Sequence, residues 1–228
     1  MPYIIRVGTD RAARAGVKAS ESTQDCATLE YPRECSFSRN DWDILSNFWY
    51  PIALESDIGT QPSKARLLDT DLVIARLGTG YVVSKDLCIH RGAPLSNGWV
   101  RDDCIVCPYH GYRFDATGKC VLVPSHPEWK IPDKLHLQTV LHEERYGIIW
   151  VCLSGKPVNR IPVWEPEESD NAYRRFTLGP EIWDCSAGRL IENFIDNAHF
   201  SFVHRSSFGQ EGSATMGAEY EFSKDDYT

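Results

Sequence analysis

Two short stretches of the chain concentrate side chains that bind metals. CIHRGAPLSNGWVRDDCIVCPYHG carries Cys88-x-His90 and, after sixteen intervening residues, Cys107-x-x-His110. Pro94, Gly98, Pro108 and Gly111 bend the chain near both pairs, so each pair can turn back on a shared centre. Two thiolates and two imidazoles suit tetrahedral zinc, or a [2Fe–2S] cluster with cysteines on one iron and histidines on the other. Cys104-x-x-Cys107 is a rival pair of metal type. The second stretch, ENFIDNAHFSFVH, runs from Glu192 to His204. On an ideal helix, at about 100° per residue, Ile191, Phe194, Ile195, Ala198 and Phe202 share one side. Glu192, Asn193, Asp196, His199 and His204 gather on the other. His199 and His204 lie about 140° apart on such a helix, so to grip one ion it must break, unwind or carry a π-type turn between them. Taken alone, this stretch reads as a core helix with satisfied polar groups and one surface histidine.

The elements that must position these residues are mostly short strands. From Asn47 onward, β-prone runs (FWYPIAL, ARLLD, LVIARL, YVVS, CIVCPY) alternate with the turn signals GTQPS, LGTG and RDD. RYGIIWVCL, Arg145 to Leu153, reads as a last strong strand. The pattern predicts a small antiparallel β domain over residues 47–155, preceded by a mobile extension, 1–46, with little periodicity. Residues 156–182, rich in Pro, Glu and Asp, read as a connector. A second domain opens at 183–228, with a possible strand in RRFTLGPEIWDCSAG, helical periodicity from Gly188 to His204, and a strand-like tail EYEFSKDDYT.

The 228 residues, 42% hydrophobic and 25% charged, have ordinary globular composition. A net charge of −8 argues against a nucleic-acid partner. No apolar run reaches the length of a membrane span and the first thirty residues lack a signal-peptide core, so a cytoplasmic protein is expected. Eight cysteines in such a setting point to metal binding where they cluster. Cys26, Cys35, Cys152 and Cys185 are scattered and read as plain thiols.

C-x-H-R-G-A-P-L-S followed by C-P-Y-H-G-Y-R-F resembles the Rieske cluster motif of ring-hydroxylating and demethylating oxygenases. The resemblance includes Arg91, Gly92, Pro94, Leu95, Pro108 and Gly111 as well as both ligand pairs. It implies that Cys88 and Cys107 hold one iron of a [2Fe–2S] cluster and His90 and His110 the other, with no role for Cys104. The respiratory Rieske type adds a cysteine beside each pair; here Arg91, Gly92, Ala93 and Tyr109 stand there, which favours the oxygenase type. With fewer hydrogen bonds to sulfur, the potential is expected toward the low end of roughly −150 to +300 mV. Trp99 and Tyr112 are expected to cover the cluster from water. His126, in SHPEW, resembles a loop residue of the family and reads equally as a surface histidine; His136 and His142 are expected at the surface.

Asn193-x-x-Asp196-x-x-His199-x4-His204 resembles the mononuclear-iron motif of the same oxygenases, in the branch of vanillate and dicamba demethylases and phthalate dioxygenase. The resemblance implies His199 and His204 as two corners of a 2-His-1-carboxylate triad, with Asn193 in support. Asp196 would bridge His110 of a neighbouring subunit to His199. It further implies an α+β fold, a β Rieske domain followed by the incomplete start of a helix-grip catalytic domain. The expected activity is O2-dependent hydroxylation or oxidative dealkylation of a small organic substrate, as monooxygenase or dioxygenase. A ferredoxin or flavin reductase would donate electrons, and the complete protein would be a homotrimer.

No acid after His204, among Glu211, Glu219, Glu221, Asp225 and Asp226, stands where the family places its third ligand. The chain is therefore expected to hold the cluster, but not mononuclear iron tightly, and to be inactive alone. A Rieske electron carrier with an appended segment accounts for the first motif only; a zinc-stapled binding protein explains neither the flanking residues nor the second motif. The purified chain is expected to be red-brown, with a Rieske-type EPR signal on reduction. Stoichiometric zinc without visible absorbance would overturn that.

Overall fold

In the computed structural model of the chain, residues 29–78, 80–163, 172, 181–196 and 198–207 are described. They fall into two units, one up to residue 163 and one from residue 172 onward. The first is an antiparallel β unit. Its strands are β1 (Tyr50–Leu54), β2 (Ser63–Leu67), β3 (Thr70–Leu77), β4 (Gly80–Lys85), β5 (Trp99–Arg101), β6 (Cys104–Val106), β7 (Arg113–Phe114), β8 (Cys120–Leu122), β9 (Leu141–Arg145) and β10 (Ile148–Cys152). They pair in three sheets, β1-β10-β9, β2-β3-β4 and β5-β6-β7-β8.

β3 is the strand on which both cores rest. Its inward residues alternate between two hydrophobic clusters, which is why LVIA reads as an unbroken apolar run and not as an alternation. Val73, Ala75 and Leu77 join Val82, Leu95, Ile105, Phe114, Cys88 and Cys107. Leu72 and Ile74 point the other way, to Tyr81, Val83, Ile149, Val151 and Trp42. The first cluster therefore carries the roots of both ligand loops, and the second clamps β3 and β4 to β1 and β10.

Three hairpins are closed by two-residue loops with both residues at positive φ, the twist-matched geometry for tight hairpins. They are Leu68-Asp69, Asp102-Asp103 and Tyr146-Gly147. RYGIIWVCL is thus not one strand: Arg145 ends β9, Tyr146-Gly147 turns, and β10 begins at Ile148. Bulky Leu68 at φ 44° is strained there, and contacts from upstream hold it. Trp42 Nε1 donates to Leu68 O at 3.1 Å, and Asp69 accepts from both the N–H and the hydroxyl of Ser36.

Over residues 29–46 those contacts correct the expected mobile extension; its residues 1–28 lie outside the described residues. Residues from 29 to 46 pack on the β unit: Leu29 and Trp42 are buried, and α1 (Arg39–Leu45) is capped by Ser38, which accepts from Asp41 N. Five apolar anchors at uneven spacing (Leu29, Tyr31, Cys35, Phe37, Trp42) do this work, so periodicity did not reveal it. The expected connector also starts later than residue 156. Val158 N bonds Asn47 O, Ile161 is buried, and Tyr146 donates to Pro162 O at 2.8 Å.

His136 and His142 are half-buried, contrary to the surface placement expected. The ring nitrogens of His142 contact Val140 O and Tyr81 O at 3.1 and 3.0 Å, tying β9 to β4. In the second unit no strand forms over 181–186, and the strand-like tail, 219–228, lies outside the described residues. No helix among the described residues is long and apolar enough to cross a membrane.

The Ser36 donors, then Arg66, hold the Asp69 carboxyl at about 2. Because its pKa falls on folding, the stability it contributes is complete above about pH 4 and is lost as pH falls toward about 2. Asp69→Asn is expected to remove that contribution at neutral pH. Limited proteolysis over residues 29–46 should then speed up while the β strands stay protected; equal protection in wild type and variant would refute the latch.

Candidate metal centres

Two loops leave the sheets toward the same end. One joins β4 to β5 and carries Cys88 and His90; the other joins β6 to β7 and carries Cys107 and His110. They close in the same way. In the first, Gly92 N bonds Cys88 O and Cys88 N bonds Ala93 O, both at 2.8 Å. In the second, Gly111 N bonds Cys107 O at 3.0 Å and Cys107 N bonds Tyr112 O at 2.9 Å. Gly92 and Gly111 take φ 71° and 69°, a conformation that costs a side chain roughly 1–2 kcal/mol. Two equivalent turns are thus set face to face, each offering a cysteine at its root.

The roots are dry. Cys88 and Cys107 are 2% and 1% exposed and sit in the core. Burial, then the neighbouring Cys107 thiol, pushes the Cys88 thiol up to about 12, although the N–H groups of His90 and Arg91 point at its sulfur and favour the thiolate. At neutral pH the Cys88 thiol therefore keeps its proton until a metal displaces it. The histidines stand at the outer end, with ring centroids 4.7 Å apart. Local burial and the nearby His110 and Arg91 lower the His90 pKa, which keeps its imidazole neutral and able to ligate. Among the described residues no three His, Cys, Asp or Glu side chains form a group able to hold a single ion. A buried thiol pair beside an outer imidazole pair instead fits a two-iron cluster divided by ligand type.

A second set of bonds fixes the longer loop, and the sequence reading missed it. Asp86, buried just before Cys88, accepts from Ser96 N at 2.8 Å and from the Ser96 hydroxyl at 2.6 Å, while Leu95 fills the core beneath. A lone acid ahead of an apolar strand end is the signal available. At Gly98 an added Cβ would overlap the Val106 carbonyl oxygen. Cys104 is a buried β6 residue whose pKa burial raises; it takes no part in the loop turns.

A cavity of about 510 Å³ opens at the histidine end, lined by His90, His110, Tyr112, Val123, His126 and Trp129. Tyr112 covers this end as expected. Trp99 is 41% exposed and does not line it; β5 pairs Trp99 with Val106, and it is Trp129 that reaches the cavity. His126 also lines the cavity while remaining exposed, its Nδ1 2.9 Å from the Ser125 hydroxyl.

In the second unit, α2 (Ala187–Ile195) starts at the Ser186 cap and ends where Asp196 accepts from Ala198 N at 2.8 Å. α3 (Phe200–Val203) follows, with His199 and His204 at its two caps. The helix break therefore falls before the histidine pair and not between them. One helical turn then brings the rings to 5.3 Å between centroids. Asp196 Oδ2 lies 3.3 Å from His199 Nδ1, and the Ala198 N–H, then the His199 ring, hold its carboxyl below the usual range. Asn193 is exposed on α2. The acids after His204 lie outside the described residues.

Residues 48–141 match the model of the Rieske [2Fe-2S] domain, and residues 183–228 that of the vanillate O-demethylase oxygenase C-terminal domain. The chain is similar to methylxanthine N1-demethylase of Pseudomonas putida, 36% identical over 178 residues that cover 75% of this chain and 50% of the relative. It is 35% identical to the oxygenase component of dicamba O-demethylase of Stenotrophomonas maltophilia, over 72% of this chain and 49% of the relative. Against the solved structure of NdmA from Pseudomonas putida the TM-score is 0.71 at 35% identity, covering 78% of this chain and 56% of that one. Dicamba monooxygenase bound to dicamba gives 0.60 at 34% identity, covering 71% and 48%. The chain spans about half the length of the curated relatives it matches.

Gly98→Ala is expected to destabilise the β unit by about 1–3 kcal/mol, since backbone must move to admit the methyl group. Gly111→Ala should cost about 1–2 kcal/mol through its positive φ, with its Cβ also 3.2 Å from Pro124. Gly59→Ala, which meets nothing within 4 Å, is the control. Thermal unfolding and bound iron and sulfide together check this; three indistinguishable variants would refute it.

Proposed function

The chain belongs to the Rieske-type non-heme iron oxygenases, and from that premise we propose that it serves in the oxygenase component of a demethylating system. Cys88 and Cys107 hold one iron of the [2Fe–2S] cluster, and His90 and His110 hold the other. His199 and His204 are two ligands of a mononuclear iron, with a carboxylate as the third. When bound, the two centres supply electron transfer and O2 activation.

The chain's own residues set up that chemistry. The core keeps the thiol pair from water, and the exposed imidazoles face the side from which an electron leaves. Asp196 accepts from His199 Nδ1, which fixes that ring's tautomer and leaves Nε2 as the nitrogen that would ligate a metal. Its carboxylate, half exposed and already accepting from Ala198 N and His199, would use a remaining lone pair to accept from His110 of a neighbouring subunit in a homotrimer. Asn193 supports that junction. A ferredoxin or flavin reductase supplies the electrons. The names of the relatives favour an N-methyl or O-methyl group on a small aromatic or heteroaromatic compound as substrate. The balance is one methyl group, O2, two electrons and two protons, giving the demethylated product, formaldehyde and water.

The single observation that carries this reading is the pair of equivalent loops with thiols buried at the root and imidazoles at the tip. Cys88→Ser and His90→Ala are expected to lose the Rieske-type EPR signal and at least tenfold of the bound iron and sulfide, whereas Cys104→Ser keeps both. Loss in the Cys104 variant with retention in the His90 variant would mean a different metal site. In the assembled oxygenase, formaldehyde release should match O2 uptake one to one; a cluster reduced and reoxidised without formaldehyde marks an electron carrier.

A further inference from the structure

We propose that Tyr112 is a positioning residue that couples the two ligand loops and fixes the His90 ring on the cluster; this rests on the ligand assignment above. The backbone of Tyr112 belongs to the second loop. Its carbonyl accepts from Cys107 N at 2.9 Å and so closes the turn that presents Cys107 and His110. Its side chain belongs to the first loop. The phenol ring lies parallel to the His90 imidazole, 4.6 Å between centroids and 5° between planes.

The two loops are otherwise equivalent, and this makes the asymmetry informative. The residue five after each cysteine closes its turn, and these are Ala93 and Tyr112. Ala93 has no ring to lay on His110, which meets instead the exposed ring of its own chain neighbour Tyr109, tilted by 36° at 3.9 Å between centroids, so only His90 has a parallel aromatic face supplied from the opposite loop. Tyr112 is half-buried and packed against the core cluster that holds Cys88, Cys107, Val123 and Leu137. Its ring is therefore anchored, and His90 is held in a single plane by stacking across its face. Offset or parallel aromatic contacts of this kind contribute about 0.5–1.5 kcal/mol beyond area burial. That is enough to favour one imidazole orientation over its alternatives roughly two- to tenfold. An iron–imidazole bond whose ring plane is fixed gives one cluster geometry and hence one narrow set of electronic properties.

The hydroxyl is not required by this account; the ring is. Tyr112→Phe and Tyr112→Leu in the cluster-loaded chain separate the two. The Phe variant is expected to match wild type in EPR g-values and line width, in midpoint potential and in the rate of cluster bleaching. The Leu variant, with far-UV circular dichroism confirming the fold, is expected to show broadened g-values, a displaced potential and bleaching faster by threefold or more. A Leu variant that matches wild type in all three readouts overturns the proposal. A Phe variant that behaves as the Leu variant does overturns it as well, by assigning the effect to the hydroxyl. If Leu fails to fold, Tyr112→Met, flexible and without a ring, takes its place: broadened g-values, a displaced potential and faster bleaching support stacking, and a Met variant that matches wild type in all three readouts overturns it. A wild-type chain with no Rieske-type signal overturns the ligand assignment itself and not the clamp alone.

Discussion

The backbone closure at each cysteine is the constraint from which the rest of the β unit follows. A thiol pair at the floor of two turns must be dry, yet the turns themselves are polar backbone that must be satisfied. The solution is reciprocal: the cysteine carbonyl accepts from a glycine four residues on, and the cysteine N–H donates to the carbonyl of the next residue. That bond pattern needs positive φ, hence Gly92 and Gly111. It also needs a rigid floor, which β3, buried on both faces, supplies through Val73, Ala75 and Leu77. Asp86 and Ser96 then tie the longer loop at its neck, so that its length does not loosen its tip.

Charge and burial are divided along the same axis. The thiols lie in the core, where burial holds Cys88 protonated until metal arrives. The imidazoles stand at the rim, where local burial and the nearby His110 and Arg91 favour a neutral His90 ring. Placing the hard-to-desolvate groups at the rim and the soft, low-polarity sulfurs in the core costs the least desolvation for four ligands.

Much of this was legible in sequence, and the misses have physical causes. The ligand types and spacings stand out because few pairs of Cys and His recur at such short intervals, and the two-sided burial of β3 is written in LVIA. Tyr112 was read as a cover because its residue type says only that it is aromatic; that its backbone serves one loop and its ring the other depends on how the loops cross. Trp99 was misplaced because alternation in a three-residue strand is too short to fix a face. The packing of 29–46 was hidden because Trp42 and Leu29 act through tertiary contacts without period. The Tyr146-Gly147 turn was hidden inside an apolar run because a tyrosine takes a conformation usually left to glycine or asparagine.

The second candidate centre is built on a different principle. Where the cluster loops draw order from a core, the Asp196–His204 segment draws it from its neighbours in sequence. Asp196 accepts from Ala198 N, which stops α2; His199 then caps a single turn, and His204 ends it. The five-residue step, awkward on a continuous helix, is met by a single turn: His199 keeps helical dihedrals (φ −70°, ψ −19°) while His204 leaves them (φ −103°, ψ 18°), and the rings come to 5.3 Å between centroids. Local bonds of this kind hold a short helix only marginally, and α2 shows its apolar residues Ile191, Phe194 and Ile195 largely exposed in the described structure. The two imidazoles are thus placed in register by the chain itself, while the rigidity that a metal site needs must come from packing on that apolar face. The two candidate centres thus differ in what orders them: the buried core of the first unit for one, and bonds between sequence neighbours for the other.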